Sequence, residues 1–119
     1  MNEYKKTIFL DIDGCILKHQ GNLTNIILNK EEVLPGVIEK FNEWEALGYK
    51  IILTTGRKEC IRDLTNQSLR HFGLFYNELI MECHRGERIL INDFKPNSKI
   101  PTASAICIER NVGLENINI

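Results

Sequence analysis

The sequence predicts an α/β protein built on a small, mostly parallel sheet with a mixed edge. Three observations carry this expectation. Apolar runs suited to buried strands alternate with helical patterns in the order β-α-β-α-β. Three strand ends carry polar groups, in "LDIDG", "LTTGR" and "LINDFKP". Only "CHRGE" separates the third strand candidate from the fourth, too little for a parallel crossover. The third strand is therefore expected to be antiparallel or very short.

Residues 6–11 are apolar on both faces, as a central strand should be. Residues 15–34 read as irregular, punctuated by Gly21, Asn22, Asn25 and Asn29 around the apolar patch Ile26–Leu28. "LPGVIEKFNEWEALGYK" predicts a helix that starts near Pro35–Gly36 and stops at Gly48. Val37, Phe41 and Trp44 share its apolar face, with Ile38 beside them. Residues 49–54 form the second strand. A second helix runs from about Lys58 to Phe72, with Ile61, Leu64, Ser68 and Phe72 at helical spacing and Gly73 after it. "ELIME", "RILIN" and "SAICIE" complete the strand candidates, and "FKPNSKIPT" reads as loop.

At 119 residues the chain suits a single domain over 1–119. A formal net charge of −1 argues against a nucleic-acid binder that relies on bulk charge. No apolar run is long enough to span a membrane, and "MNEYKKTIFLDIDG" does not read as a signal peptide. Cys15, Cys60, Cys83 and Cys107 form no C-x-x-C pair, so they read as reduced thiols of a cytoplasmic protein, and a structural zinc site is not expected.

Open α/β sheets hold their sites beyond the carboxyl ends of the strands. Asp11 and Asp93, each at such an end, are expected to converge, and like charges so placed need a cation between them. Oxygen ligands at this density suit Mg²⁺, which also accepts substrate phosphate. A strand-end carboxylate such as Asp11 can attack phosphorus. Asp13, turned back by Gly14, can protonate the leaving oxygen and later deprotonate water. Thr55 offers a hydroxyl and a backbone N–H to phosphoryl oxygens.

"FLDIDG", "ILTTGR" and "LINDFKP", in this order, resemble the motifs of the haloacid dehalogenase-like superfamily of phosphohydrolases. "LPGVIEKFNEWEALGYKIILTTGR" is similar to the stretch between the first two motifs, and the resemblance covers residues 6–97. It implies a Rossmann-like core, with Asp11 as nucleophile, Asp13 as general acid and base, and Thr55 with Gly56 as phosphate binders. It further implies Mg²⁺ held by Asp11, Asp93 and the backbone carbonyl of Asp13. The second aspartate favours a phosphatase over a dehalogenase, because displacing halide needs no general acid.

The sequence departs from the family pattern at two places. The last motif, usually a pair of acids, is Asn92–Asp93, which leaves an amide beside the metal. The lysine that precedes this motif in the family is missing. Lys95 could reach back to the phosphate instead, with Arg85 and Arg88 as alternatives. Arg57 is a candidate clamp for an anionic substrate, and His19 a weaker substrate contact. His71 and His84 read as surface or half-buried residues, and Trp44 as core.

The gaps between motifs leave no room for a cap domain. Small capless enzymes of this kind often act on sugar phosphates of surface (capsule) polysaccharide pathways or on 3-deoxy-sugar acid phosphates. A small phosphorylated metabolite is therefore the expected partner, with no nucleic acid or membrane. The open site is expected to be covered by residues 15–34, through Ile26, Ile27 and Leu28, or by a second copy, with the homo-oligomer favoured. Two rival functions stand beside this reading. A glycosyltransferase with a D-x-D metal site needs a longer chain. A non-catalytic domain that binds phosphate and Mg²⁺ stays open because of Asn92 and the missing lysine.

Overall fold

The computed structural model describes residues 4–119, so the first three residues of the expected domain lie outside the description. Strand β1 (Thr7–Asp11) pairs with β2 (Lys50–Thr54), in register from Thr7 opposite Lys50 to Asp11 opposite Thr54. Strand β3 (Glu78–Ile80) pairs with the other edge of β2. The sheet is parallel throughout, in the order β1-β2-β3, a Rossmann-like α/β core without a cap. Its central strand buries Ile51, Ile52 and Leu53 in succession, because both faces are covered.

Helix α1 (Leu23–Leu28) lies inside the segment expected to be irregular; Asn22 caps it by accepting the N–H of Asn25 at 2.9 Å. The segment closes on itself, since Lys18 N–H donates to Glu32 C=O and Leu34 N–H to Ile16 C=O, both at 2.9 Å. Of its apolar patch only Ile26 packs against the core; Ile27 and Leu28 remain exposed. Helix α2 (Val37–Ala46) connects β1 to β2 and buries the expected Val37, Phe41 and Trp44, while Ile38 faces outward.

Helix α3 (Arg62–His71) follows a short 3₁₀ turn at Glu59–Ile61 and connects β2 to β3. Its buried line is Ile61, Thr65 and Leu69, with Leu64, Ser68 and Phe72 on the flank. The helix is thus rotated by one residue from the expected phase. The reason is polar: Thr65 faces inward to accept a hydrogen bond from Arg57.

Three strand expectations change. The third strand is very short, as expected, but parallel rather than antiparallel. "RILIN" and "SAICIE" form no strands. No hairpin is needed after β3, because the segment that follows does not return to the sheet. Within residues 84–107 the sole hydrogen bond between two backbone groups among the described residues joins Ser98 N–H to Lys95 C=O. The two legs of this arm meet through side chains: Asn92 Nδ2 donates to Thr102 C=O (3.2 Å), and Thr102 Oγ1 to Asp93 C=O (2.6 Å). The radius of gyration is 15.2 Å, against about 13.5 Å for a compact chain of this length, and the residues of the arm are mostly exposed.

The chain returns after the arm. Asn111 N–H donates to Gly14 C=O at 2.8 Å, and Leu114 N–H to Pro35 C=O at 2.8 Å, which buries Leu114. All four cysteines are free. No helix among the described residues is long and apolar enough to cross a membrane.

Candidate active site at the carboxyl ends of the first two strands

The turn after β1 is wound around one carbonyl. Ile12 C=O accepts from the N–H groups of Cys15, Ile16 and Leu17 at 3.2, 2.9 and 3.1 Å. Gly14 permits this turn with φ +88°. It leaves Asp11 and Asp13 at the mouth of the sheet in different surroundings.

Asp11 ends β1 with its side chain 40 % exposed, and its nearest cation is Arg88, with Nη2 3.8 Å from Oδ1. Burial of its inner part pushes its pKa up. The charge of Arg88, the Ile12 N–H and His19 work against that rise, and Asp13 adds to it. Burial, with Asp11 alongside, also pushes the Cys15 thiol up to about 11, so Cys15 stays a neutral thiol beside the site.

Asp13 is held by a fork. Arg57 Nε donates to its Oδ2 at 3.0 Å and Nη2 to its Oδ1 at 2.8 Å. Arg57 is buried; it also donates from Nη1 to Thr65 Oγ1 at 3.1 Å and from Nη2 to Glu31. Burial disfavours its charge, but the bonds to Asp13 and Glu31 outweigh this and keep the guanidinium protonated. Four of its five guanidinium N–H donors are thus engaged inside the protein, two of them on Asp13.

Thr55 is buried, and its Oγ1 accepts the Arg57 N–H at 3.1 Å. The Thr55 N–H expected to face phosphate donates instead to Ile80 C=O at 2.9 Å, because β3 pairs past that point. The next amide, Gly56 N–H, has no hydrogen-bond partner among the described residues.

His19 sits at the mouth. Its N–H donates to Asn111 Oδ1 (2.8 Å) and its Nδ1 accepts the Gly21 N–H (3.1 Å), so that ring nitrogen serves its own loop. Asp93, Asn92 and Lys95 stand apart from this group. Lys95 Nζ donates to Asp93 Oδ1 at 2.9 Å on the exposed arm and draws the Asp93 carboxyl down in pKa. Among the described residues no three acids, histidines or cysteines gather to hold a metal. The expected convergence of Asp93 on Asp11 does not occur within one chain, because the segment that carries it never joins the sheet. Of the lysine substitutes, Arg88 reaches Asp11, while Arg85 is exposed and Lys95 is committed to Asp93.

Glu31 was missed by sequence reasoning. It is buried, one oxygen accepts from Arg57, and Oε2 has no partner. A charged residue just before the apolar Val33–Leu34 turn looks solvated in sequence. Only the closure of residues 16–34 turns it inward.

No protein-family model matches the chain, and no curated protein matches it. Solved structures do. One, from a Pnkp1/Rnl/Hen1 complex, is 23% identical with TM-score 0.57, covering 71% of this chain and 30% of that one. Another, from the Pnkp1/Rnl/Hen1 RNA repair complex, is 24% identical with TM-score 0.58, covering 71% and 28%. A target protein from Vibrio cholerae is 22% identical with TM-score 0.53, covering 71% and 78%. This chain spans under a third of the length of the two complex chains. The likeness is one of fold: a Rossmann-like α/β core, here with two carboxylates at the end of its first strand.

Proposed function

We propose that the chain is a Mg²⁺-dependent phosphomonoester hydrolase of the haloacid dehalogenase-like type, acting through an aspartyl-phosphate on a small sugar or sugar-acid phosphate. The observation that carries this reading is the unequal treatment of the two acids. Asp11 is accessible and free of any bidentate partner, as an attacking group must be. Asp13 is fixed by a buried fork, as a proton carrier must be oriented.

An Asp11 carboxylate oxygen forms the new bond to phosphorus as the bond to the leaving oxygen breaks, and Asp13 delivers the proton to that oxygen. Asp13 then takes a proton from water, which attacks the phosphorus of the aspartyl-phosphate and frees Asp11. In this reading the unpaired Gly56 N–H and the Arg88 guanidinium, whose Nη2 lies 3.8 Å from Asp11, meet the charge that spreads over the phosphoryl oxygens. The oxygen donors expected for Mg²⁺ are Asp11, the Asp13 carbonyl and Asp93, and one chain does not bring them together.

Phosphate release from an aryl phosphate with Mg²⁺ is the first test. A panel follows that sets sugar phosphates against oligoribonucleotides with 5′ or 3′ phosphates, since two similar folds come from an RNA repair complex. Asp11→Asn is expected to abolish release, and substantial turnover by it would remove the nucleophile assignment. Release from no substrate would favour a non-catalytic phosphate-binding domain. That second reading draws on the full engagement of both Asp13 oxygens by Arg57.

A further inference from the structure

We propose that Glu31 is a positioning residue for Asp13, acting through Arg57, so that closure of residues 16–34 assembles the proton carrier of the site. The inference rests on the hydrolase reading and adds to it a residue from outside the strand ends. Nothing about Glu31 suits packing. Its side chain is 6% exposed, Oε1 accepts from Arg57, and Oε2 has no partner. A buried carboxylate with an unpaired oxygen lowers stability, and an apolar side chain of similar volume would fill the space without that cost. Sequences break such local rules chiefly at functional sites. Among the described residues the two buried side-chain atoms without a partner, Gln20 Nε2 and Glu31 Oε2, both lie in the closing segment.

The guanidinium shows what the residue does. Arg57 Nη2 has two hydrogens; one goes to Asp13 Oδ1 at 2.8 Å and the other to Glu31 Oε1. Nε meets Asp13 Oδ2 at 3.0 Å, and Nη1 meets the neutral Thr65 hydroxyl at 3.1 Å. Without Glu31 the fork would be held only by Thr65 and by the carboxylate that it has to orient. Glu31 supplies the second charged anchor, and charge-assisted bonds are about twice as strong as neutral ones. The fork is planar and rigid, so fixing Nη2 against Glu31 also fixes the two bonds to Asp13. Glu31 is too buried to meet substrate, and its effect passes through Arg57.

The place of Glu31 depends on closure of the segment. Glu32 C=O accepts the Lys18 N–H, Val33 is bridged to Leu17, and Leu34 N–H donates to Ile16 C=O. Residues 16–18 directly follow the turn that carries Asp13. One pairing therefore brings Glu31 and Asp13 to the same guanidinium.

Glu31→Gln, close to isosteric, is the first variant. It removes the charge from the Arg57 fork and leaves the strand ends untouched. The ratio kcat/KM reports transfer to Asp11, the step in which Asp13 protonates the leaving oxygen. With an alkyl phosphate, whose leaving oxygen needs that proton, kcat/KM is expected to fall about tenfold. With nitrophenyl phosphate, whose leaving group departs without it, the loss is expected to stay below about twofold. In an Asp13→Asn background Glu31→Gln is expected to change neither value, because no proton is left to position. Equal losses on the two esters, no loss on either, or an alkyl-ester loss that persists with Asp13→Asn would overturn the positioning role while leaving the hydrolase reading standing. A wild type without turnover on either ester would overturn both. Glu31→Asp keeps the charge and withdraws it by one methylene. Where circular dichroism shows Glu31→Gln unfolded, the same split between esters is expected of Glu31→Asp, and equal or absent losses in it would overturn the role.

Discussion

Asp11 and Asp13 are two residues apart, yet one faces an open mouth and the other a buried guanidinium. The difference arises from Arg57, whose planar fork serves both Asp13 oxygens and still reaches Glu31 and Thr65. A lysine has one point charge and cannot reproduce this set. Arg57→Lys is expected to lower kcat by about 10²-fold through misplacement of Asp13, with KM nearly unchanged because the side chain is buried against Asp13, Glu31 and Thr65. A rise in KM with kcat preserved would return Arg57 to the substrate-clamp role read from sequence. Arg57→Met leaves the buried Glu31 unpaired as well, and is expected to cost about 3–5 kcal/mol of stability in urea unfolding.

Among the elements, α2 is located most tightly by a glycine. Gly36 precedes it at φ +76°, and a Cβ there would lie 2.4 Å from the Glu115 backbone. The returning C-terminal segment therefore docks against the start of α2 only if that side chain is absent. Gly36→Ala is expected to destabilise by more than about 2 kcal/mol, combining left-handed strain with backbone collision. Gly73 is the control: its φ is +73° but nothing lies within 4 Å of the added Cβ. Gly73→Ala should lose about 1–2 kcal/mol from strain alone. Equal losses at the two positions, read from urea midpoints, would show that the docking contact carries no weight. Pro35–Gly36 was legible in sequence as a helix start. The neighbour that makes the glycine obligatory was not, because Glu115 is far along the chain.

For the whole molecule, the shape is set by an arm that leaves the core after Cys83 and returns near Asn111. With its backbone groups outside any ladder, the arm is expected to exchange its amides far faster than β2, read by hydrogen–deuterium exchange, and equal protection of the two would show that the arm is covered in solution.

The sequence by itself determined the α/β core with its first two strands parallel, the α2 face of Val37, Phe41 and Trp44, and the placement of Asp11, Asp13 and Thr55 at strand ends, but not the parallel direction of β3. These follow from local periodicity and from turn residues adjacent in the chain. Tertiary structure alone decided the rest. The phase of α3 was set by the Arg57–Thr65 bond, the inward turn of Glu31 by closure of residues 16–34, and the loss of the Thr55 N–H by pairing with β3. "RILIN" has the composition of a strand, but a strand exists only where an edge is within reach. The arm that carries "RILIN" leaves the sheet after Cys83, and none of its backbone groups joins a ladder among the described residues.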